Sequence, residues 1–183
     1  MIIGLSGYAR SGKDTVAEFL IEEYDFKRVA FADTIRDILY AMNPSIGSQG
    51  LKEMVDNYGW DVAKANGEVR ALLQTLGVSA RTFMGDGVWI SAAVRKMLDA
   101  ETNYVIPDVR FTNEADMIKR IGGHVWRVNR PGVGPINDHV SENQLDNYKF
   151  NGEINNSGSL DGLYIQIATL QRAAKESDLW SRV

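Results

Sequence analysis

Residues Met1 to Tyr24 read MIIGLSGYARSGKDTVAEFLIEEY, and this stretch decides the fold. Met1 to Ser6 is a short apolar run that leads into glycine, which is typical of a buried strand. Between Asp14 and Tyr24, apolar side chains recur at helical spacing: Val16, Phe19, Leu20 and Tyr24. The stretch therefore predicts a strand, a glycine-rich loop and a helix, in that order.

The loop between the strand and the helix, Gly7-Tyr-Ala-Arg-Ser-Gly12-Lys13, matches the G-x-x-x-x-G-K pattern of a phosphate-binding loop. Glycines let the backbone amides turn toward phosphate oxygens, the helix adds the positive end of its dipole, and Lys13 adds a mobile cation. A glycine-rich turn without a ligand is the alternative. The residues expected to contact a nucleotide are Gly7, Ala9, Arg10, Ser11, Gly12, Lys13, Asp14 and Thr15.

Asp14 stands where this pattern usually has serine or threonine, and Thr15 follows one place later. A carboxylate beside bound phosphate would be repelled unless a magnesium ion lay between them. We therefore expect Asp14 to hold Mg²⁺ directly or through its waters, with Thr15 beside the metal or the phosphate. The alternative is that Asp14 is an ordinary acidic residue in the first turn of a helix.

The remaining sequence predicts strands that alternate with helices. Further strands are expected at Lys27 to Ala32, Tyr104 to Pro107, His124 to Asn129 and from about Ile154. Helices are expected from Asp33, as N-cap, to about Met42, from Gly87 to Leu98, Glu114 to Ile121 and Leu160 to Ala174, with a loose tail after Lys175. This alternation predicts an α/β fold with a parallel central sheet and helices on both faces.

Length and glycine spacing suggest how the chain is divided. A chain of 183 residues is expected to form a single domain. Glycines break the stretch of about 44–86 into helical fragments, which we interpret as a helical insertion. The loop of about 130–150 begins with Arg130-Pro-Gly-Val-Gly134, a sequence that suits the hinge of a water-excluding lid, although a plain surface loop is the alternative.

A second carboxylate, Asp108, follows the strand predicted at Tyr104 to Pro107. Ligands of parallel sheets gather beyond the carboxyl ends of the strands, so Asp108 could polarise water on magnesium or orient an acceptor. It could also cap the turn into the helix near Asn113.

Phosphoryl transfer needs several cations that converge on the phosphates, and arginine offers a planar, permanently charged group. Any one arginine taken alone could equally be a solvated surface residue. The candidates are Arg10, Arg36, Arg70, Arg81, Arg110, Arg127 and Arg130. The predicted catalytic set is Lys13, Asp14, Asp108, Arg110 and Arg130.

Composition excludes several functional classes. The formal net charge is −4, which argues against a broad nucleic-acid surface and favours small phosphorylated ligands. The chain has no cysteine, so disulfides, thiolate zinc sites and cysteine nucleophiles are excluded. His124 and His139 do not have metal-ligand spacing, and no apolar run reaches the roughly 18 residues of a membrane span. We expect a cytoplasmic protein with no nucleic-acid or membrane partner.

Several stretches together resemble bacteriophage-type deoxynucleoside monophosphate kinases. They are GYARSGKDT (Gly7 to Thr15), FAD (Phe31 to Asp33), DVRF (Asp108 to Phe111) and NEA (Asn113 to Ala115). The resemblance continues at Leu73 to Gly77, Gly85 to Trp89, Arg127 to Arg130 and His139 to Glu142, so it covers most of the chain. The GKDT variant departs from the generic loop in the way that this family does.

The resemblance implies a three-layer P-loop kinase fold, ATP with Mg²⁺ as the donor, a deoxynucleoside 5′-monophosphate as the acceptor and the diphosphate as product. It implies a lid near Arg127 and Arg130, with Arg127 among the residues that bind ATP. A viral origin would place the protein in the host cytoplasm. The acceptor-binding candidates are Asp33, Arg36, Arg70, Arg81 and Trp89, the last of which could equally be a core residue. A kinase for a metabolite such as phosphomevalonate or dephospho-coenzyme A, an ATPase switch, and a homodimer stay open as alternatives.

Overall fold

A computed structural model of the chain describes residues 1–97, 101–135 and 144–180. The strands in chain order are β1 (Ile2–Ser6), β2 (Phe26–Arg28), β3 (Ser45–Ile46), β4 (Gln49–Gly50), β5 (Asn103–Ile106), β6 (His124–Asn129) and β7 (Gly152–Asn155). The helices are α1 (Lys13–Tyr24), α2 (Phe31–Met42), α3 (Leu51–Ala65), α4 (Gly67–Met84), α5 (Val88–Lys96), α6 (Thr112–Arg120) and α7 (Leu160–Trp180). The chain divides into two compact units, Met1–Ala30 with Val94–Val183, and Phe31–Ala93.

The first unit is built on a five-stranded sheet with the order β2-β5-β1-β6-β7. Every neighbouring pair of strands in it is parallel. In this register Ile3 lies beside Val105 of β5, and Ser6 lies beside Arg127 of β6. Because parallel strands all end at the same edge, the loops after β1, β5, β6 and β7 meet there.

Helices cover both faces of this sheet. Ile3 and Leu5 are fully buried in a core that α1 and α7 supply with Val16, Leu20, Leu163 and Ile167. Gly4 points to the opposite face, where a Cβ would lie 2.6 Å from Ile118 Cδ1 of α6. That distance is shorter than any relaxed contact, so α6 packs directly on the strand backbone. The predicted parallel sheet with helices on both faces is confirmed.

The second unit is mostly helical and has its own small core. The hairpin β3–β4 and helices α2, α3 and α4 contribute its buried residues, among them Leu39, Ile46, Leu51 and Val69. Helix α3 is interrupted at Gly59, which has φ 78° and ψ 166°. The stretch of 44–86 thus holds two long helices and a hairpin, where the sequence predicted a helical insertion of shorter fragments and no hairpin. The division into core, insertion and lid stays a prediction.

Some predicted element boundaries are wrong. The strand expected at Lys27 to Ala32 ends at Arg28, and α2 already begins at Phe31. Asp33 therefore lies in the first helical turn and is not the N-cap. Helix α7 continues past the predicted end to Trp180, because Asp178 in its last turns bonds with His124 on β6 at 2.9 Å.

Within the described ranges, no helix has both the length and the apolar character that a membrane span would need.

Candidate active site

The loop between β1 and α1 has the backbone that its glycines predict. Arg10 and Gly12 adopt positive φ angles of 66° and 105°. A Cβ on Gly12 would lie 2.4 Å from Asn156 Nδ2, and one on Gly7 would lie 2.4 Å from the carbonyl oxygen of Val128. Neither position can hold a larger residue without a shift of the surrounding backbone or side chain. Gly12 also leaves the first turn of α1 without a side-chain cap, which suits an anion at the helix N-terminus.

Lys13 folds back over this loop. Its Nζ donates hydrogen bonds of 2.8 Å to the carbonyl oxygens of both Gly7 and Tyr8. These bonds hold the ammonium group against the loop that is expected to bind phosphates. The hydroxyl of Ser11 is buried beneath the loop and has no hydrogen-bond partner among the residues that the structure describes. A buried hydroxyl without a hydrogen-bond partner costs folding free energy, which indicates that packing alone does not set the conformation of this loop.

Arg127 lies against the loop from the neighbouring strand. It is only 8% exposed, and its Nη1 lies 3.5 Å from Ser6 Oγ on β1. Its guanidinium carbon stands 4.7 Å from the centre of the Tyr8 ring. Its Nη2 donates a 3.0 Å hydrogen bond to Asp146 Oδ1. Such a cation is fixed in place before any anion arrives.

Tyr8 and Asp146 complete this cluster, and the sequence analysis missed both. The Tyr8 hydroxyl donates a 2.9 Å hydrogen bond to the same Oδ1 of Asp146 that Arg127 contacts. Burial first, and then this hydrogen bond, raise the pKa of Tyr8, since both favour the neutral phenol. No local pattern identifies the pair, because 138 sequence positions separate Tyr8 from Asp146.

A pocket at the carboxyl edge of the sheet brings several predicted residues together. Arg110, which follows β5, and Arg127 of β6 line it with Gly7 and Ala9 of the loop. Ser6, Val109 and Leu145 complete the lining. One arginine that follows β5 and one on β6 thus line the same pocket as the loop that is expected to bind phosphate, and their role in phosphoryl transfer stays a prediction.

A second concavity lies on the other side of Tyr8. Arg130 lines it, and Arg130 Nη1 lies 3.4 Å from the carbonyl oxygen of Arg10 in the loop. Asn129, Glu153, Asn155 and Gln166 contribute polar atoms around a cavity of about 400 Å³. A cleft with convergent polar groups beside the loop has the size of a nucleoside site.

Asn156 ties the segment after β7 to the loop and was also missed from sequence. Its Nδ2 donates a 3.0 Å hydrogen bond to the carbonyl oxygen of Ser11. Its backbone N donates to the carbonyl oxygen of Asn129 at 2.7 Å. The loop is therefore held from both flanks, by Arg127 and Asp146 on one side and by Asn156 on the other.

Asp14 and Thr15 occupy the first turn of α1, where Asp14 is exposed and Thr15 is half-buried. Across the part of the chain that is described, no three His, Cys, Asp or Glu side chains group as an all-protein metal cage would require. Mg²⁺ does not need such a cage, because one or two carboxylates usually hold it together with phosphate oxygens and water. A single exposed carboxylate beside the loop fits that pattern.

Glu114 organises the segment that carries Asp108 and Arg110. This glutamate is 2% exposed, and its Oε2 accepts hydrogen bonds from the backbone N of Arg110 at 2.9 Å and of Phe111 at 3.1 Å. Asp108 itself is half-buried in the turn after β5. The sequence offered a signal for Glu114, since an acidic residue at the third helical position is typical of a capping box.

The acceptor-binding candidates all belong to the second unit. Arg36 Nη1 lies 3.4 Å from Asp33 Oδ1, one turn apart on α2. Arg70 Nη2 is 3.3 Å from the carbonyl oxygen of Lys64, and Arg81 Nη1 is 3.2 Å from that of Asp86. Trp89 is 3% exposed and donates Nε1 to the carbonyl oxygen of Gly77 at 3.0 Å, so it is a core residue of this unit. Their contact with an acceptor stays a prediction.

Part of the predicted lid lies outside the described residues, including His139, Ser141 and Glu142. The hinge sequence itself is described: Arg130 and Val133 close a turn through a 3.2 Å backbone hydrogen bond.

Comparison with solved structures supports the fold. Over 96% of this chain and 98% of its own, a dephospho-CoA kinase from Campylobacter jejuni superposes with a TM-score of 0.52 at 12% identity. A gluconokinase from Sinorhizobium meliloti gives a TM-score of 0.50 at 14% identity, over 98% and 96% of the two chains. At such identities the likeness shows the fold alone, which is the α/β fold of P-loop kinases.

Comparison with sequences goes further. The family model for deoxynucleotide monophosphate kinase matches residues 1–61 and 56–167. A protein of Acanthamoeba polyphaga mimivirus, provisionally named as a deoxynucleotide monophosphate kinase, is 29% identical over 91% of this chain and 94% of its own. The phosphate loop, the paired arginines and the parallel sheet agree with this match, and we conclude that the chain belongs to the deoxynucleotide monophosphate kinase family and is a phosphotransferase that acts on nucleotides.

Proposed function

We propose that the protein transfers the γ-phosphate of ATP to the 5′-phosphate of a deoxynucleoside monophosphate and releases the diphosphate. The observation that carries this proposal is the shared pocket of Gly7, Ala9, Arg110 and Arg127, which places two cations beside the loop between β1 and α1. Family membership and the mimivirus relative support the same reaction class.

The donor side of the reaction is assigned to the first unit. The amides of Gly7 to Thr15 and the Lys13 ammonium hold the donor phosphates, and Ala9, Arg10, Ser11 and Gly12 contribute backbone contacts. Asp14 and Thr15 hold Mg²⁺, which, when bound, neutralises charge across the donor phosphates. Arg130 is placed beside the cleft of Asn129, Asn155 and Gln166, where a donor base would lie.

The chemistry needs no nucleophilic side chain. In-line attack by an oxygen of the acceptor phosphate forms a bond to the γ-phosphorus and breaks the bond to the β–γ bridging oxygen. The protein's part is to align the two nucleotides and to neutralise the charge that spreads over the equatorial oxygens. We assign that stabilisation to Lys13, Arg110 and Arg127, and the orientation of the acceptor or of metal-bound water to Asp108.

The acceptor is assigned to Asp33, Arg36, Arg70, Arg81 and Trp89 in the second unit, with a lid at about 130–150 that excludes water. A homodimer, and a location in the cytoplasm, which would be the host cytoplasm for a viral protein, also belong to the proposal. Analytical ultracentrifugation of the purified protein tests the oligomeric state.

The test of the function is an acceptor panel. The protein is incubated with ATP and Mg²⁺ and with each deoxynucleoside monophosphate in turn, and the nucleotides are separated by chromatography. We expect a deoxynucleoside diphosphate and an equal amount of ADP with at least one acceptor.

Lys13→Met is the matched control, because it keeps the length of the side chain and removes the charge. It should lower turnover by at least about 100-fold, since charge stabilisation at the phosphates is lost. ADP formation at the same rate without any acceptor would instead identify an ATPase, and no diphosphate with any acceptor would overturn the proposal.

A further inference from the structure

Two residues without an assigned role, Tyr8 and Asp146, hold the buried Arg127. One carboxylate oxygen, Asp146 Oδ1, accepts hydrogen bonds from the Tyr8 hydroxyl at 2.9 Å and from Arg127 Nη2 at 3.0 Å. The Arg127 guanidinium also lies over the Tyr8 ring, 4.7 Å from its centre, and 5.7 Å from the centre of the Phe150 ring. Every described contact of the guanidinium thus restricts its position.

The cluster of Tyr8, Arg127 and Asp146 lies beside both concavities of the candidate active site. Arg127 lines the pocket with Gly7 and Ala9, the two loop residues that flank Tyr8. Tyr8 itself lines the second concavity, beside Arg130. Tyr8 thus lines the second concavity and also contacts Arg127 through its ring, so a shift of the loop at Tyr8 would move a partner of Arg127.

The segment that carries Asp146 is anchored independently of the loop. Leu145 is 2% exposed, and the Tyr148 hydroxyl donates a 2.9 Å hydrogen bond to Asp116 Oδ1 on α6. The backbone N of Asn151 donates to the carbonyl oxygen of Val125 at 2.8 Å. Asp146 is thus presented from a fixed position, as a group that orients another side chain must be.

We propose that Asp146 and Tyr8 are positioning residues. They hold the Arg127 guanidinium where it can contact the donor phosphates, and they link it to the loop between β1 and α1. The inference rests on the proposed function, because it assigns Arg127 to the donor phosphates. It differs from a merely neutralising role: a carboxylate that only cancelled the charge of Arg127 would weaken anion binding, and its removal would strengthen it.

The experiment compares Asp146→Ala with the isosteric Asp146→Asn, which keeps an oxygen acceptor for both donors. We expect Asp146→Ala to lower kcat/KM for ATP by about 10- to 100-fold, the size of a lost hydrogen bond to a charged group, through both a lower kcat and a higher KM. Asp146→Asn should stay within about threefold of the unmodified protein. Equal losses in both variants would contradict positioning through hydrogen bonds.

A double variant tests whether Asp146 acts through Arg127. In the Arg127→Ala background, Asp146→Ala should have no further effect on kcat, because the group that it positions is gone. Effects that multiply in the double variant would overturn the proposal. Asp56→Ala is the matched control: it removes the 2.7 Å hydrogen bond that the Tyr40 hydroxyl donates to Asp56 Oδ1 in the second unit, which plays no part in holding Asp146, and it should leave kcat within about threefold.

Binding of inorganic tripolyphosphate, measured by calorimetry, separates this inference from the proposed function. Asp146→Ala should weaken tripolyphosphate binding when Arg127 is present and have no effect on it in the Arg127→Ala background. This expectation holds whether or not any acceptor is phosphorylated. Tighter binding by Asp146→Ala would show a neutralising role and overturn the positioning. A protein that binds tripolyphosphate with this coupling but forms no diphosphate would refute the proposed reaction alone.

Discussion

Gly12 and Asn156 show how closely the phosphate loop is constrained by a single side chain. Gly12 has a φ of 105°, and a Cβ there would lie 2.4 Å from Asn156 Nδ2. Asn156 in turn donates to the carbonyl oxygen of Ser11, the neighbour of Gly12. Backbone conformation and packing therefore both require glycine at this position.

We expect Gly12→Ala to weaken ATP binding by more than about tenfold, since left-handed strain of about 1–2 kcal/mol adds to the contact with Asn156. The control is Gly122→Ala, at φ 81° with no atom within 4 Å of the new Cβ. It should cost only the strain, read as a lower free energy of unfolding, and leave ATP binding unchanged. Calorimetric titration with ATP and urea unfolding measure the two effects, and equal binding by both variants would contradict the account.

The same residues show what the sequence could tell and what it could not. Gly12 and Lys13 were assigned because the pattern that identifies them spans a few neighbouring positions. Asn156 and Asp146 were missed because their partners in the loop lie 145 and 138 positions away. Only the three-dimensional order of the strands brings them together.

Helix α6 carries a buried acidic residue, Glu114, in its first turn, and this carboxylate accepts hydrogen bonds from the backbone N atoms of Arg110 and Phe111. We expect Glu114→Ala to lower the free energy of unfolding by about 2 kcal/mol, because two amides lose their acceptor. It should also lower kcat, since Arg110 is no longer held at the pocket. Glu114→Gln keeps one carbonyl oxygen as an acceptor, so it should lose less of the free energy of unfolding and less of kcat than Glu114→Ala does. Urea unfolding and steady-state kinetics measure the two effects. An unchanged kcat in Glu114→Ala would show that Glu114 stabilises the start of α6 but does not hold Arg110 at the pocket.

The contact between α6 and the segment after residue 144 predicts an alkaline pH dependence. Burial first, and then the hydrogen bond to Asp116, raise the pKa of Tyr148 from 10.0 to about 12. The folded protein thus keeps a proton that the unfolded chain loses. Stability from this group is complete below pH 10 and falls as the pH rises from 10 toward about 12.

Tyr148→Phe should remove the part of this loss of stability that Tyr148 causes. The variant is compared with the unmodified protein because Tyr8 and Tyr40 also have raised pKa values and contribute to the same loss. Urea unfolding across that pH range measures the difference. Parallel curves for the two proteins would show that Tyr148 titrates normally.

For the helices and strands, the sequence predicted the existence of the elements better than it predicted their ends. The strands β1 and β6 and helix α1 were predicted to within a residue, because glycine marks one end of each: Gly7 after β1, Gly12 before α1 and Gly123 before β6. The hairpin β3–β4 was missed, since its strands have two residues each. The end of α7 was placed too early, because a contact with His124 on another strand extends it.

For the molecule as a whole, the parallel sheet was predictable and its order was not. Alternating strands and helices imply parallel pairing, but no residue pattern states that β1 lies between β5 and β6. That order gathers Lys13, Arg110, Arg127 and Arg130 at one edge of a protein with a net charge of −4. An acidic chain can therefore hold a strongly anionic ligand, as expected from local concentration of cations.

We expect ATP with Mg²⁺ to protect amides at two distant places in the chain. Hydrogen exchange should slow in the loop between β1 and α1 and also at Asn156, because Asn156 holds the loop. Lys13→Met, which is expected to bind ATP poorly, is the control and should show neither effect. Protection confined to the loop would indicate that the segment after β7 opens independently.

The place of β1 in the sheet also has a consequence for synthesis. The apolar strand Ile2–Ser6 is synthesised well before both of its neighbours in the sheet, β5 and β6. Asn156 follows Ser11 by 145 positions, which at roughly 5–20 residues per second is a delay of roughly 7–30 s. Until β5 has been synthesised, the nascent strand β1 lacks both of the neighbours that it has in the folded sheet. A translation intermediate arrested before residue 156 would lack the contact that fixes the loop, so nucleotide capture can report when the segment after β7 has been synthesised.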